Sequence, residues 1–490
     1  MLSDARRLQQ GGFMSDADLC YLGAVEALAA FKARKLSPVD LMQAVIARAE
    51  AVEPKINAFP MKHYERALEQ AKQAEARYMK TDGRARALEG IPMAIKDETT
   101  IKGWRSTFGS LVFKDNIDSY TAPPAERIIK AGAIIHARSA APEFSCAPFT
   151  HSRLWGVTRT PWNLDYSPGG SSGGAGASLA AGSTTLANGS DIGGSIRIPA
   201  SMSGVVGFKP PYGRNPDSGP FNLDHYNHAG PMARSVADCA LFQNVLCGPH
   251  PGDIATIRPK LRIPAEFATD LEGWRIAYSP ALDGYDVDPD VARNTAAAAE
   301  VFRGLGATVD EVAIGWNHAD VVRGSAIHFA SIFGPWIGKM VAEHRDLMTA
   351  YAVEFALGAT QLGAGDYLAG LEIEHAMYAR LGKLLQRYRL LICPTLPVPS
   401  VKAGEDYVET KLVINGKPQP GINHWLMTIC FNMMSRCPVM SVPSGFVSTG
   451  VPTGLSIVGR TFDDVSVFRA AAAFEKAQPW LDTSARRPKL

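Results

Sequence analysis

The chain has 490 residues, of which 46% are apolar and 20% charged, and its formal net charge is +2. That length and apolar content can build a large buried core. The near-neutral balance gives no electrostatic basis for binding nucleic acid or a membrane surface, and no run of 18 apolar residues is present to span a bilayer. Seven cysteines (Cys20, Cys146, Cys239, Cys247, Cys393, Cys430 and Cys437) are widely spread with no CxxC pair, so neither a zinc ribbon nor a disulfide scaffold is expected, and a reducing cytoplasm fits best. Met1 and Met14 both stand as candidate starts, and residues 1–13 lack the apolar core of a signal peptide.

In chain order, residues 19–51 and 64–78 carry apolar side chains at helical spacing, with Ser37-Pro38 as a cap and first-turn signal between two helices. Residues 91–95 read as a buried strand, 125–130 as a helix and 133–137 as another strand. A loop rich in Pro, Trp and polar residues follows over 142–166. Residues 175–187 are Ala-rich and compatible with a helix, and 236–246 is helical. Residues 274–278 read as a strand, 291–305 as a helix, 307–312 as a strand, 368–388 as a long helix and 390–393 as a strand. This alternation predicts an α/β layered fold with a large mixed or mostly parallel sheet. No repeat or composition break divides the chain, so one domain over 1–490 is expected. Within it lie N-terminal helices (1–80), a core (85–245), a mainly helical cap (about 280–390), and closing strands with a C-terminal helix (391–490).

Two glycine-serine clusters stand out: Ser167-Pro168-Gly169-Gly170-Ser171-Ser172-Gly173-Gly174, and Gly189-Ser190-Asp191-Ile192-Gly193-Gly194-Ser195-Ile196-Arg197. A linker would continue polar, but the first cluster runs into the Ala-rich stretch and the second into apolar, β-branched residues. Such density suits backbone that turns sharply or approaches another group closely, with N–H groups converging on developing negative charge. Gly169–Gly173 also satisfies G-x-S-x-G, the nucleophile elbow, yet no strand is readable before it. Neither cluster is followed by Lys-Ser or Lys-Thr, which weighs against nucleotide binding. Asp224, His225 and His228 suggest a metal site, but no third-ligand pattern lies nearby, so loop histidines lining a pocket are expected instead.

With Gly90-Ile91-Pro92-Met93-Ala94-Ile95-Lys96-Asp97 added, the chain resembles the amidase signature hydrolases, defined by GGSSGG and then G-S-D-[IT]-G-G-S-[IV]-R. Residues 37–41, 56–59, 438–443 and 454–459 extend the resemblance over most of the chain. It implies an α/β amidase-signature fold: a large, mixed, twisted β-sheet covered by helices on both faces. It also implies a Ser-Ser-Lys triad in which Ser195 is the nucleophile, Ser171 the bridge and Lys96 the base, acting through an acyl-enzyme without metal or cofactor. A lysine base must be neutral, and burial at the end of an apolar strand supplies the needed shift. Ile192, Gly193, Gly194 and Ser195 would form the oxyanion hole. Asp191 and Arg197 would pair and hold the loop, with a substrate carboxylate as the other partner open to Arg197. Ser172 would stabilise the loop, although it competes with Ser171 for the bridging role.

The glutamine-dependent amidotransferase subunit of this family carries an acidic D-x-x-T element. Here the threonine is Thr428 and the acidic position is Trp425, which favours a stand-alone amidase. Fatty-acid amide hydrolases anchor to membranes, and no anchoring helix is readable. Ser145 and Cys146 would contact substrate, with Cys146 a wall residue and not a second nucleophile. Trp425, Met427, Phe431, Met433 and Met434 would line an apolar pocket if their loop faces the site, or else pack in the core. The expected substrate is a small uncharged aryl or alkyl amide, with esters or hydrazides as alternatives. Water is the second reactant, and a homodimer is left open.

Overall fold

The structure is a computed structural model that describes residues 15–80, 84–358 and 362–490; the candidate starts Met1 and Met14 lie outside the described residues. One sheet of 11 strands organises the chain. Its spatial order is Met61–Lys62, Ile134–Ser139, Pro92–Lys96, Leu186–Asp191, His228–Ala233, Val206–Lys209, Val439–Phe446, Pro452–Gly459, Leu390–Pro394, Arg275–Tyr278 and Thr308–Glu311. Pairing is parallel from Ile134–Ser139 to Leu186–Asp191 and again over the last three strands, and antiparallel between those blocks. The sheet is therefore mixed, as expected.

Strand side chains alternate between two buried faces, which places Lys96. Met93 and Ile95 join the core under helices Ala24–Lys32, Val236–Leu246, Pro289–Gly304 and Asp464–Ala477. Ala94, and with it Lys96 two residues on, turns to the opposite face. There Ala94 packs with helices Gly173–Ala181 and Arg197–Ser203, built from the two glycine-serine clusters. On the same side, beyond those helices, His318–His344, Ala350–Leu357 and Ala364–Arg387 form a cap whose Val321, Ile337, Tyr351 and Leu381 pack with Leu391, Val439 and Val458 of the sheet.

Ser37 caps the helix Pro38–Ile56 by accepting the Val39 N–H at 2.9 Å, as its sequence signal implies. Two expectations need correcting. The Ala-rich stretch is helical only over Gly173–Ala181, and Leu186–Asp191 is already a sheet strand, so Gly189, Ser190 and Asp191 of the second cluster are strand and not loop. That short helix is buried on every side, which leaves no amphipathic stripe to mark its end. The segment 280–390 is also not all cap: Pro289–Gly304 packs against the far side of the sheet and Thr308–Glu311 forms an edge strand. Among the described residues, no helix is long and apolar enough to cross a membrane.

Candidate active site

Lys96 ends its strand with a side chain that is fully buried. Its Nζ lies 2.7 Å from Ser171 Oγ, 2.7 Å from Ser190 Oγ and 3.1 Å from Glu98 Oε1. Burial holds the amine below its usual pKa, because the ammonium loses its hydration, while the charges of Glu98, Asp191 and Asp217 oppose the shift. Asn188 Oδ1 accepts the Lys96 N–H at 2.9 Å and fixes the end of the strand. Glu98 is a residue that the sequence motifs did not single out. Its carboxylate also accepts from Ser145 Oγ. Burial would raise Glu98, but Lys96 and the Ser145 and Ser190 hydroxyls outweigh it and hold the carboxyl below its usual range.

Ser171 is brought to Lys96 by close backbone packing. A Cβ on Gly170 would stand 2.4 Å from the Phe149 carbonyl oxygen and 2.6 Å from that of Ala147, so only glycine fits there. The peptide bond entering Ser171 is cis. The Ser172 N–H donates to the Ser195 carbonyl at 3.2 Å and ties the two clusters together, and the Ser172 hydroxyl lies 3.5 Å from the Ser190 carbonyl oxygen. The turn-like segment before Gly169 contains no sheet strand, and Ser171 has a lysine, not a histidine, as its partner. Both features are foreign to a nucleophile elbow.

The second cluster is organised by a buried ion pair. Arg197 Nε and Nη2 donate to Asp191 Oδ2 and Oδ1 at 2.9 and 2.8 Å, with both side chains fully buried. Burial alone would raise the Asp191 pKa; the guanidinium and the Asn432 amide reverse this and hold the carboxyl well below its usual range. Arg197 also donates to the Thr428 carbonyl at 2.8 Å and to Asn432 Oδ1 at 2.7 Å. Its guanidinium is thus spent on protein partners and is closed to a substrate carboxylate.

Asp191 Oδ1 additionally accepts the Gly194 N–H at 2.9 Å. The N–H groups of Ile192, Gly193 and Ser195 have no acceptor among the described residues. Of the four donors expected from the motif, one is engaged and three have no acceptor among the described residues. Gly194 has φ +124, and a Cβ there would meet Thr428 Oγ1 at 2.1 Å, so its glycine is obligatory. Among the described residues, no hydrogen bond joins Ser195 Oγ to Ser171 Oγ.

Ser195 opens into a cavity of about 350 Å³, which Ser145, Cys146, Ile192 and Gly193 also line. The opposite wall is aromatic and aliphatic, with Phe329, Phe333 and Phe355 from the cap, and Tyr407 and Leu426 from the late loops. Ser145 and Cys146 thus sit where the sequence placed them. Burial raises the Cys146 thiol well above its usual pKa, and its Sγ contacts the Glu143 carbonyl at 3.2 Å, so it is not poised as a thiolate.

Trp425 is a correction: its neighbours His424 and Leu426 line the cavity, but its own side chain is 2% exposed and packs in the core. Met427, Phe431, Met433 and Met434 lie in that same core. Without knowing the turn at 427–433, sequence cannot tell which face of this apolar run meets the site. Thr428 donates its hydroxyl to the Gly193 carbonyl at 2.7 Å. Neither His225 nor His228 lines the cavity: His225 pairs with Glu374, and His228 contacts the Asp191, Tyr226 and Ser435 carbonyls.

A protein-family model described as amidase matches residues 40–468. The chain is 32% identical over 486 residues to an acylamidase of Rhodococcus erythropolis, covering 96% of this chain and 98% of that one. It is 30% identical over 476 residues to one of the subunits of the glutamyl-tRNA(Gln) amidotransferase of Geotalea daltonii, covering 92% and 96%. Among solved structures it resembles a bacterial aryl acylamidase of the amidase signature family, with TM-score 0.88 and 29% identity, over 94% of this chain and 96% of that one. Taken with a buried lysine at the GGSSGG serine and the glycine loop around Ser195, these matches show that the chain belongs to the amidase signature family and is an enzyme that hydrolyses the carbon–nitrogen bond of amides.

Proposed function

We propose that Ser195 attacks the amide carbonyl and forms an acyl-enzyme, with Ser171 and Lys96 carrying the proton. The observation that carries this reading is the 2.7 Å contact between the buried Lys96 Nζ and Ser171 Oγ. Neutral Lys96 draws the proton from Ser171 as Ser171 takes that of Ser195. The new C–O bond forms and the carbonyl oxygen becomes an oxyanion, received by the free N–H groups of Ile192, Gly193 and Ser195. Gly194 contributes by bending the loop and anchoring it to Asp191, and Ser172 and Arg197 stiffen the frame. The proton returns through Ser171 to the leaving nitrogen as the C–N bond breaks, and water then releases the acid by the same route.

The aromatic wall opposite Ser195 supports a small uncharged aryl or alkyl amide, a class that agrees with the acylamidase relatives. Ester or hydrazide cleavage would use the same groups. The position that carries an acidic residue in the D-x-x-T element is Trp425, packed in the core, and the Thr428 hydroxyl is engaged, which supports a stand-alone amidase over a partner-dependent subunit. The shared sheet, with strands from Met61 to Gly459, supports one catalytic unit, and seven free cysteines support a reducing compartment such as the cytoplasm. Treatment with a fluorophosphonate followed by peptide mass spectrometry should place the adduct on Ser195. An adduct on Ser171 would overturn the assignment. A panel of aryl, alkyl and amino-acid amides tests the substrate class, and turnover of glutamine alone would favour the amidotransferase reading.

A further inference from the structure

Asp224 and His225 follow the short turn Phe221–Leu223, and His328 comes from the middle of the cap helix His318–His344. One ligand atom from each, a carboxylate oxygen and two ring nitrogens, lies within 4.8 Å of the others. His328 Nε2 is 2.9 Å from Asp224 Oδ1, and the two side chains are 3% and 2% exposed. The contact nevertheless lacks hydrogen-bond alignment: His328 Nε2 and Asp224 Oδ2 are both buried with no hydrogen-bond partner. Native interiors rarely leave such atoms unmatched, and two of them on facing side chains call for a shared partner. A proton cannot serve both without the missing alignment. A cation can, by accepting a lone pair from each.

The surroundings hold these side chains as a metal site would. Tyr226 stacks on His328 with ring centroids 3.5 Å apart and planes 7° from parallel, which fixes the imidazole. Glu374, on the neighbouring cap helix Ala364–Arg387, pairs with His225 Nε2 at 2.9 Å and accepts the Tyr226 hydroxyl at 2.8 Å. A carboxylate anchoring a ligating imidazole is the usual outer partner of a bound metal. The Tyr226 N–H donates to Asp224 Oδ1 at 2.9 Å and orients the carboxylate.

We propose that Asp224, His225 and His328 bind a divalent first-row transition ion, zinc best matching two imidazoles and a carboxylate, and that the ion fastens the cap to the sheet-side loop. Zinc bonds of about 2.0–2.2 Å set neighbouring donors about 3.3–3.5 Å apart in a tetrahedron, so the cluster needs only to contract. The hard, all-oxygen shells of calcium and magnesium do not suit it. Its place is structural and lies apart from Lys96. Phe329, the residue after His328, stands over Gly193, where an added Cβ would come within 3.2 Å of its ring. The ion therefore steadies the part of the cap that forms the substrate wall.

The test uses the full-length protein, dialysed against chelator, loaded with zinc chloride and desalted. Mass spectrometry of the metal should find about one zinc per chain, and loading should raise Tm by about 2 °C or more. His328→Gln and His225→Gln should each lose the retained zinc, whereas His250→Gln, on the surface beside Glu126, should keep it. No retained zinc in the wild type, or equal zinc in His328→Gln, overturns the site. Should the variants fail to fold, cobalt decides on the wild type: visible bands of tetrahedral Co2+, bleached by zinc, support the site, and their absence overturns it.

Discussion

On the Ser195 side the cavity is walled by backbone, pinned from behind by the buried Asp191–Arg197 pair and by glycines that tolerate no Cβ. On the opposite side it is walled by rings carried on the cap helix and late loops, and those rings pack on one another and on neighbouring rings such as Phe221 and Trp336. The first surface is the more tightly determined: hydrogen bonds with Asp191, Thr428 and Ser172 hold the loop that carries the donors, as stabilisation of a developing charge requires. The second is held by dispersion and area burial, which constrain volume but not direction. Rate should therefore depend on one wall and substrate choice on the other.

Substitutions can break that division, and the largest effect belongs to Lys96→Ala. Amide kcat/KM should fall by about 10³–10⁴-fold with the circular dichroism spectrum unchanged. Esters should lose less, since an alkoxide leaves with less help from a proton than an amine does. Near-wild-type amide turnover in a folded variant would sink the base assignment. Phe329→Ala probes the other wall. It should raise KM for aryl amides by about 5–150-fold, the equivalent of about 1–3 kcal/mol of lost apolar contact, while kcat changes little. If kcat collapses instead, the two walls are not separable.

The smallest and sharpest test is Glu98→Gln. With a neutral Lys96 as the base, the rate should rise with pH through an acid limb. The Glu98 carboxylate stabilises the Lys96 ammonium and holds that limb up. Removing its charge should move the acid limb of kcat/KM to lower pH while the plateau stays near the wild-type value. An unmoved limb, or one displaced to higher pH, would show that Glu98 does not bear on the base.

The same division explains what could be read from sequence. Lys96, Ser171 and Ser195 announce themselves because turns without side chains and hydroxyls at fixed offsets leave a local pattern. The strands at 91–95 and 390–393 and the helices at 64–78 and 236–246 were equally legible from their apolar spacing. Glu98 was not: two residues past the lysine, a carboxylate reads as ordinary surface until the fold turns it inward. Trp425 and Leu426 look alike in composition, yet one packs in the core and the other meets the cavity, because a short turn decides their facing. His328 lies about a hundred residues from Asp224 and His225, so only the docking of the cap could reveal the cluster. Gly194, expected as an oxyanion donor, is spoken for by Asp191, a distinction of backbone direction that residue type does not carry.

The guanidinium behind the Ser195 loop reaches forward along the chain as well as across it. Arg197 grips the Thr428 carbonyl and the Asn432 side chain, and Val439–Phe446 is the strand that completes the sheet beside Val206–Lys209. During synthesis the serine loop leaves the ribosome more than two hundred residues before its counterweights. Until then the Asp191–Arg197 pair and the Gly194 N–H hold the loop without its two late anchors. A nascent chain ending before Thr428 would carry Lys96, Ser171 and Ser195 without these anchors of the serine loop. The segment around Thr428 and Asn432 is thus as much a part of the serine loop's frame as the loop itself.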